Sequence, residues 1–344
     1  MEPASRMNHP CPIPRWEAPT RQDVGPTVEE FLRKLGGPTF LWLPGVDTTR
    51  TRAVSTLLHG NEPSGVQALH RWIRGGHQPH VNVLCFIGAI GAALTEPLFS
   101  HRCVPDGKDL NRCFRPPFEG PEGTIAQAML EELHQTQPEA LIDIHNTSGR
   151  SPAYGVTTRN GVMQETLTGV FCDHLVVTDL RLGTLMEATE TAWPTVTIAA
   201  GGATDPQAHE LAFRGFSRYA LAKDFSELSS PVTVAHHPIR VELKKGASLA
   251  YASAPIAEVD LTLPPDVDRL NFGTLSTQER LGWVGAQGLE VLWAIDATGQ
   301  NLTSTLFSVH NGELRLAHPS RLMMATTNPD IAKSDCLFYI LPDE

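Results

Sequence analysis

Two short runs put metal-ligand residue types where strands should end. Thr56-Leu57-Leu58-His59-Gly60-Asn61-Glu62-Pro63 places His59 at the close of a strand and Glu62 at the opening of the next helix, and in open α/β sheets ligands bind at such ends. A tight turn there can aim an imidazole nitrogen and a carboxylate at one point, with Gly60 letting the backbone close around a metal. On its own His-x-x-Glu is weak, because a chain with 14 histidines and 38 acids yields about one match by chance. A surface histidine beside an acid that favours a helix dipole is the better reading of that run taken alone. The second run, Ala140-Leu141-Ile142-Asp143-Ile144-His145, ends in a histidine followed by Asn146-Thr147-Ser148-Gly149. Histidines at neighbouring strand ends can converge, and His, Glu and a distant His complete a zinc set that keeps a position open for water, as catalytic sites do. Asp143 shares a strand face with His145 and could hydrogen-bond a ligand; an acid satisfied by a nearby Arg or the backbone is an equal reading. Between the two runs, Ser100 to Phe114 carries Asn111-Arg112, whose amide and planar guanidinium fork suit a carboxylate. A lone Asn-Arg pair is more often an ordinary loop.

Taken together, His59-Gly-Asn-Glu62, Asp109-Leu-Asn-Arg112 and Asp143-Ile-His145-Asn-Thr resemble, in order and separation, the motifs of the succinylglutamate desuccinylase/aspartoacylase family, within the zinc carboxypeptidase-like superfamily. The motif-bearing region runs from roughly Leu41 to Phe225, and the segment beyond it is compatible with that family's second domain. The resemblance implies a zinc-dependent amide hydrolase, a deacylase of a small N-acyl amino acid or similar amide, with one zinc ion per chain on His59, Glu62 and His145. It implies substrate contacts from Asn111, Arg112 and Asn146, and an arginine upstream of Asp109 that polarises the scissile carbonyl. Arg102 is the candidate, although Pro105 to Lys108 lengthen the intervening loop.

The departure from the family pattern lies at Thr195-Val-Thr-Ile198-Ala199-Ala200-Gly201-Gly202. Relatives similar to this chain read Ile-Glu-Ala-Gly there, and the glutamate is the base and acid that moves protons. With alanine at 199 the chemical step should slow by roughly 10²–10⁴-fold. Three explanations compete: deliberate replacement to trap substrate, a natural binding protein, or another acid in the role. The survival of the ligand residues, of Asn111-Arg112 and of Gly201-Gly202 favours the first. Glu187, Glu190 and Glu210 are the nearest acids, and each reads better as a solvated surface residue.

The elements that must position these residues alternate. Strand patterns at Thr39–Leu43, Ala53–Leu58, Val81–Ile87, Ala140–His145, Leu175–Thr178 and Thr195–Ile198 are separated by helical patterns at Gly65–Arg74, Thr124–Gln135, Gly161–Phe171 and Pro206–Lys223. This predicts an α/β domain, zinc-carboxypeptidase-like, with a mixed and largely parallel sheet flanked by helices. Residues 1–38 read as an N-terminal extension, Pro-rich and polar up to a short helix at Val28–Leu35, so the sheet is expected to begin at 39. Residues 39–228 form the catalytic domain. Residues 229–344, with short runs at Arg240–Leu243, Ile256–Leu263, Glu290–Ile295 and Leu337–Leu341 and a turn at Asn311-Gly312, form a smaller all-β domain.

Composition bounds the partners. A chain of 344 residues, 41% hydrophobic, can bury a sizeable core. Its 27 Lys+Arg against 38 Asp+Glu leave a net charge of −11, which argues against nucleic acid or an anionic membrane. The longest apolar stretch, Val83 to Leu94, is shorter than the roughly 18 residues of a spanning helix. The Pro-rich N-terminus does not read as a signal peptide. Cys11, Cys85, Cys103, Cys113, Cys172 and Cys336 form no CxxC pair, which suits reduced thiols in a cytoplasm. His236-His237 cannot easily share one ion, since adjacent strand residues point to opposite faces. The expected partner is thus a small molecule; a homo-oligomer is left open. Two other readings stand beside the deacylase: a non-catalytic binding protein using the same pocket, and a carboxypeptidase-like peptidase of small peptides.

Overall fold

The computed structural model describes residues 13–228, 230–296 and 298–341. The first twelve residues, Cys11 among them, and Ser229 lie outside these. Strands β1 (Arg15–Glu17), β2 (Thr39–Leu43), β3 (Asp47–Thr56), β4 (Val81–Ile87), β5 (Leu141–Thr147), β6 (Tyr154–Thr157), β7 (His174–Val177), β8 (Thr195–Gly202) and β9 (Thr233–His236) form a nine-stranded sheet in the order β1-β2-β4-β3-β5-β8-β6-β7-β9. The sheet is largely parallel, with antiparallel pairs at β2–β4 and β6–β8. Helices α1 (Arg21–Val24), α2 (Val28–Leu35), α3 (Ser64–Arg74), α4 (Ile90–Ala93), α5 (Gly120–Thr136), α6 (Val162–Gly169), α7 (Leu185–Thr189) and α8 (Pro206–Leu221) flank it. No helix among the described residues is long and apolar enough to cross a membrane.

The fold class matches the alternation read from the sequence, and β2, β4 and α2 have the bounds their patterns predict. The capping chemistry explains why: Thr27 Oγ1 accepts from Glu30 N at 3.2 Å to open α2, and Gly36, at φ 74°, closes it. The sheet, however, begins at β1 and not at residue 39. Arg15–Glu17 pair in register with Phe40–Trp42, and Ile13, Val24, Phe31 and Leu32 are buried, so this stretch is part of the fold. Strand β6 leaves no strand pattern in the sequence because Gly155 interrupts it. A Cβ there would sit 2.6 Å from Thr168 Oγ1 and 3.2 Å from Leu175 Cδ1, so the bare backbone lets α6 and β7 close in.

Two compact units are present. The first comprises residues up to 144 with 181–195 and 216–227. Its core includes Phe40, Phe86, Leu84 and Leu141 from the sheet, packed with Met129 and Leu133 of α5 and with Leu110, Phe114 and Leu185. The second comprises 145–180, 196–215 and 228 onward. Beyond 228 it contains β10 (Ile239–Leu243), β11 (Leu249–Tyr251), β12 (Leu261–Leu263), β13 (Thr274–Leu275), β14 (Arg280–Val284), β15 (Leu292–Ile295), β16 (Phe307–His310), β17 (Glu313–Leu316), β18 (Ser320–Met323) and β19 (Phe338–Leu341). These make two five-stranded sheets, β13-β18-β19-β10-β15 and β11-β12-β14-β17-β16. Asn311 (φ 53°) and Gly312 (φ 80°) form the β16–β17 turn, as the Asn-Gly pair predicts. Only Leu261–Leu263 of the expected Ile256–Leu263 run is strand, because Val259 N folds back on Ile256 O in a turn.

One buried cation in the first unit ties β3 to the last turn of α8, through Tyr219 O at 2.5 Å, and to the two residues just past it. Arg52 is fully buried; its Nη1 donates to Ala222 O at 2.8 Å and its Nη2 to Lys223 O at 3.2 Å, while Nε reaches Glu139 Oε2 at 3.3 Å. It supplies the donors that the helix C-terminus lacks. Arg52→Met should therefore cost about 3 kcal/mol in denaturant unfolding, since it strands buried carbonyls; a loss under about 1 kcal/mol would show that these carbonyls find water instead.

Candidate metal and substrate site

β3 ends at Thr56, and the chain turns through Leu57 (φ 56°) to present His59, Gly60, Asn61 and Glu62 ahead of α3. Two glycines make this turn fit. A Cβ on Gly60 would lie 2.6 Å from Ala93 N and 2.7 Å from Ala92 C, so α4 can approach only a bare backbone. A Cβ on Gly65 would lie 2.1 Å from Thr56 Oγ1, so the start of α3 sits directly on the strand it follows. Strand β5 runs parallel to β3, with Thr56 registered against Ile144, and His145 is the next residue. His59, Glu62 and His145 are all buried, and each offers a ligand atom lying within 4.8 Å of the others. Two imidazoles and a carboxylate at that spacing suit a divalent ion of the zinc type. The donor set fits in a second respect: His59 Nδ1 already faces Glu62 Oε1 at 2.9 Å.

The other nitrogen of His59 is fixed from outside the cluster. Nε2 lies 3.0 Å from Asp109 Oδ1, which also accepts Asn111 N at 2.8 Å. The second Asp109 oxygen accepts Arg102 Nε at 2.8 Å and faces Arg102 Nη2 at 2.8 Å and Arg112 Nη1 at 3.9 Å. Burial opposes ionisation of Asp109. The hydrogen bond from His59 and the charges of His59, Arg102 and Arg112 outweigh it and hold the carboxyl well below the usual carboxylate range. Asp109 thus accepts the proton of the histidine face turned from the cluster, an arrangement that sets tautomer and ring orientation in metal sites. The motif alone does not carry this role. The signal available was an Asp two residues ahead of Asn111, in a position to cap the short turn Leu110–Arg112.

The structure brings most of the sequence candidates to one place. Arg102 reaches toward the cluster, its Nη1 3.9 Å from Glu62 Oε1. Asn111 is buried, with its Oδ1 accepting Leu185 N at 2.9 Å, so α7 anchors it. Arg112 is about one-third exposed, and its Nη1 donates to Asn111 O at 2.9 Å. Asp143 is fully buried within β5, registered against Ser55. In the second unit, Asn146 Nδ2 donates to Gly201 O at 2.8 Å, a contact that holds the end of β8. Ala199, in β8 opposite Tyr154, is buried in an apolar cluster with Tyr154, Val176, Met323, Tyr339 and Leu341. His236 and His237 join no metal-competent group among the described residues; His237 pairs with Asp179 instead.

Residues 48–165 match the succinylglutamate desuccinylase/aspartoacylase catalytic domain. The resemblance read from the motifs is thereby borne out over the segment that carries His59, Glu62, Asp109, Arg112 and His145. No curated protein matches. Among solved structures, the chain is similar to a succinylglutamate desuccinylase/aspartoacylase from Rhodobacter sphaeroides (14% identity, TM-score 0.56, 89% of each chain covered). It is similar to a succinylglutamate desuccinylase from Vibrio parahaemolyticus (14% identity, TM-score 0.57, 88% of this chain and 85% of that one). A product-bound ectoine utilization protein, EutE (DoeB), from Ruegeria pomeroyi is also similar (16% identity, TM-score 0.52, 83% and 82%). At these identities the likeness establishes the shared fold.

Asp109→Asn should weaken zinc binding by about 10–100-fold in a chelator competition, because the amide cannot hold the His59 tautomer in the same way. Unchanged affinity would mean that Asp109 serves the loop alone.

Proposed function

We propose that this chain, carrying a desuccinylase/aspartoacylase catalytic domain over residues 48–165, is a zinc-dependent amide hydrolase of a small N-acyl amino acid. The observation that carries the reading is the convergence of His59, Glu62 and His145 within 4.8 Å, beside a guanidinium and an Asn-Arg pair. His59, Glu62 and His145 would hold one zinc ion, which when bound supplies a Lewis acid and an acidified water. The protein's own groups do the rest. Arg102, oriented by Asp109, would donate to the acyl carbonyl as negative charge develops on it. Arg112 would grip a carboxylate of the substrate, with Asn111 at its side holding the turn in place. Asn146 is the further proposed substrate contact, next to His145 in β5. Five described cysteines, Cys85, Cys103, Cys113, Cys172 and Cys336, are free thiols, which supports a cytoplasmic location.

The missing proton carrier shapes this proposal. Where the family pattern has glutamate, Ala199 packs among Tyr154, Val176, Met323, Tyr339 and Leu341. That packing gives alanine neighbours that suit it. It is also the specific observation behind a second reading, a protein that binds N-acyl amino acids without turning them over.

Hydrolysis of an N-acyl amino acid panel by the zinc-loaded chain and by Ala199→Glu separates the two. The variant is expected to be roughly 10²–10⁴-fold faster, the usual worth of general acid–base catalysis, with circular dichroism confirming that the new carboxylate is tolerated in its apolar surroundings. Equal, measurable rates would show that another group moves the proton. Binding without hydrolysis by either protein would establish the binding reading.

A further inference from the structure

Strand β5 loses a neighbour where its site residues begin. Its pairing with β3 ends at Thr56–Ile144, and β3 itself stops at Thr56, so β3 gives no support to His145 and the residues after it. Other parts of the second unit take over, some of them 118 to 178 residues further along the chain. Asn146 is tied to the end of β8 through Gly201 O. Beyond it, Thr326 Oγ1 donates to Ser148 O at 3.2 Å, Asp268 Oδ2 accepts Arg150 N at 3.0 Å, and Asn271 Nδ2 donates to Arg150 O at 2.6 Å. Thr147 adds a local bond, Oγ1 to Gly149 O at 2.7 Å.

This clamp is built to close tolerance. A Cβ on Gly149 would lie 2.6 Å from Ala325 O and 3.0 Å from Asp268 Cβ, so only a bare backbone fits between them. Asn271 uses its whole carboxamide on main-chain groups: Oδ1 accepts Ala325 N at 2.8 Å, and Nδ2 donates to Ala325 O at 3.0 Å as well as to Arg150 O. It thereby fixes the Arg150 peptide against Ala325 as a strand partner would. Asp268 and Asn271 are both buried, and among the described residues no cation pairs with Asp268. Polar side chains withdrawn from water cost free energy unless hydrogen-bonded, and apolar ones would fill the same space without that cost. What the polar pair adds is direction, since it holds both main-chain groups of Arg150 in one place.

We propose that Asp268 and Asn271 are positioning residues for the zinc site, acting through residues 147–150 on His145. This rests on the reading of His59, Glu62 and His145 as zinc ligands. Neither Asp268 nor Asn271 belongs to the ligand cluster. His145 lies between two anchors, the β3 register on one side and the clamp on the other, and both set where its ring stands. Metal ligands must be held to within about 0.5 Å of their productive geometry by the groups that support them, so loosening one anchor loosens the ligand.

The test loads the full chain with cobalt(II), whose visible absorption reports the coordination geometry that the filled d shell of zinc hides. Zinc affinity by chelator competition and the unfolding midpoint of the metal-free chain are measured alongside. Asn271→Asp keeps the side chain's shape but turns a carboxylate oxygen on Ala325 O and Arg150 O. Asp268→Ala removes the acceptor for Arg150 N, and Asp268→Asn keeps one. Asn271→Asp and Asp268→Ala should each change the cobalt spectrum and weaken zinc binding by about tenfold, the low end for groups that orient metal ligands. Asp268→Asn should restore both to the values of the unmodified chain. Arg52→Met, which lowers stability in the first unit, should leave the spectrum unchanged. Should Asn271→Asp not fold, the two Asp268 variants decide by the same readouts. Loss of stability with spectrum and affinity unchanged, an Asp268→Asn as impaired as Asp268→Ala, or the same spectral change in Arg52→Met overturns the proposal and leaves the zinc reading standing. An unmodified chain that takes up neither metal overturns the zinc reading itself, and the proposal with it.

Discussion

The half-buried carboxylate of Asp109 is the constraint on which the rest of the candidate site depends. Its two oxygens serve His59, the Asn111 backbone and Arg102 at 2.8–3.0 Å, so a proposed metal ligand, the turn that carries Asn111-Arg112 and the arginine proposed to polarise the carbonyl share one anchor. Withdrawing a carboxylate from water is costly unless it is paired and hydrogen-bonded, and here the partners are the candidate site's own side chains. That coupling fixes the arginines relative to the histidine without relying on the long loop between residues 102 and 109. Pairing with Asp109 restricts the rotamers that the partly exposed Arg102 side chain samples.

Bringing the strand ends close enough is the second requirement, and it is met by removing side chains. Gly60 admits the backbone of α4, and Gly65 lets the start of α3 rest on Thr56. The parallel register of β3 with β5 then sets His145 one residue past the Thr56–Ile144 pair. The His-Gly-Asn-Glu run is consequently a packing motif as much as a candidate ligand motif. Its glycine is as constrained as its histidine, since any Cβ there would collide with main-chain atoms that cannot move independently of α4.

What was legible in the sequence follows from range. His59, Glu62 and His145 could be read because strand ends and helix starts leave local signatures, and because the three motifs occur together in order. Helices α2 and α8 were legible as helical patterns, and the structure shows what opens them: Thr27 for the first and, for the second, Asp205, whose Oδ1 accepts Gln207 N at 2.8 Å. The role of Asp109 was not legible, since it is defined by a partner 50 residues away. Strand β1 was missed because a three-residue edge strand has no periodicity to detect, and the packing of Ala199 depends on Met323, Tyr339 and Leu341, far along the chain.

The central claim is that the His59, Glu62 and His145 cluster is a zinc site. X-ray absorption at the zinc edge of the loaded protein tests it most directly. The account predicts a shell of light N/O donors at about 2.0–2.1 Å with the outer-sphere scattering of two imidazole rings, and loss of one ring's contribution in His145→Ala. Sulfur at about 2.3 Å, or a spectrum with no imidazole scattering, would contradict it.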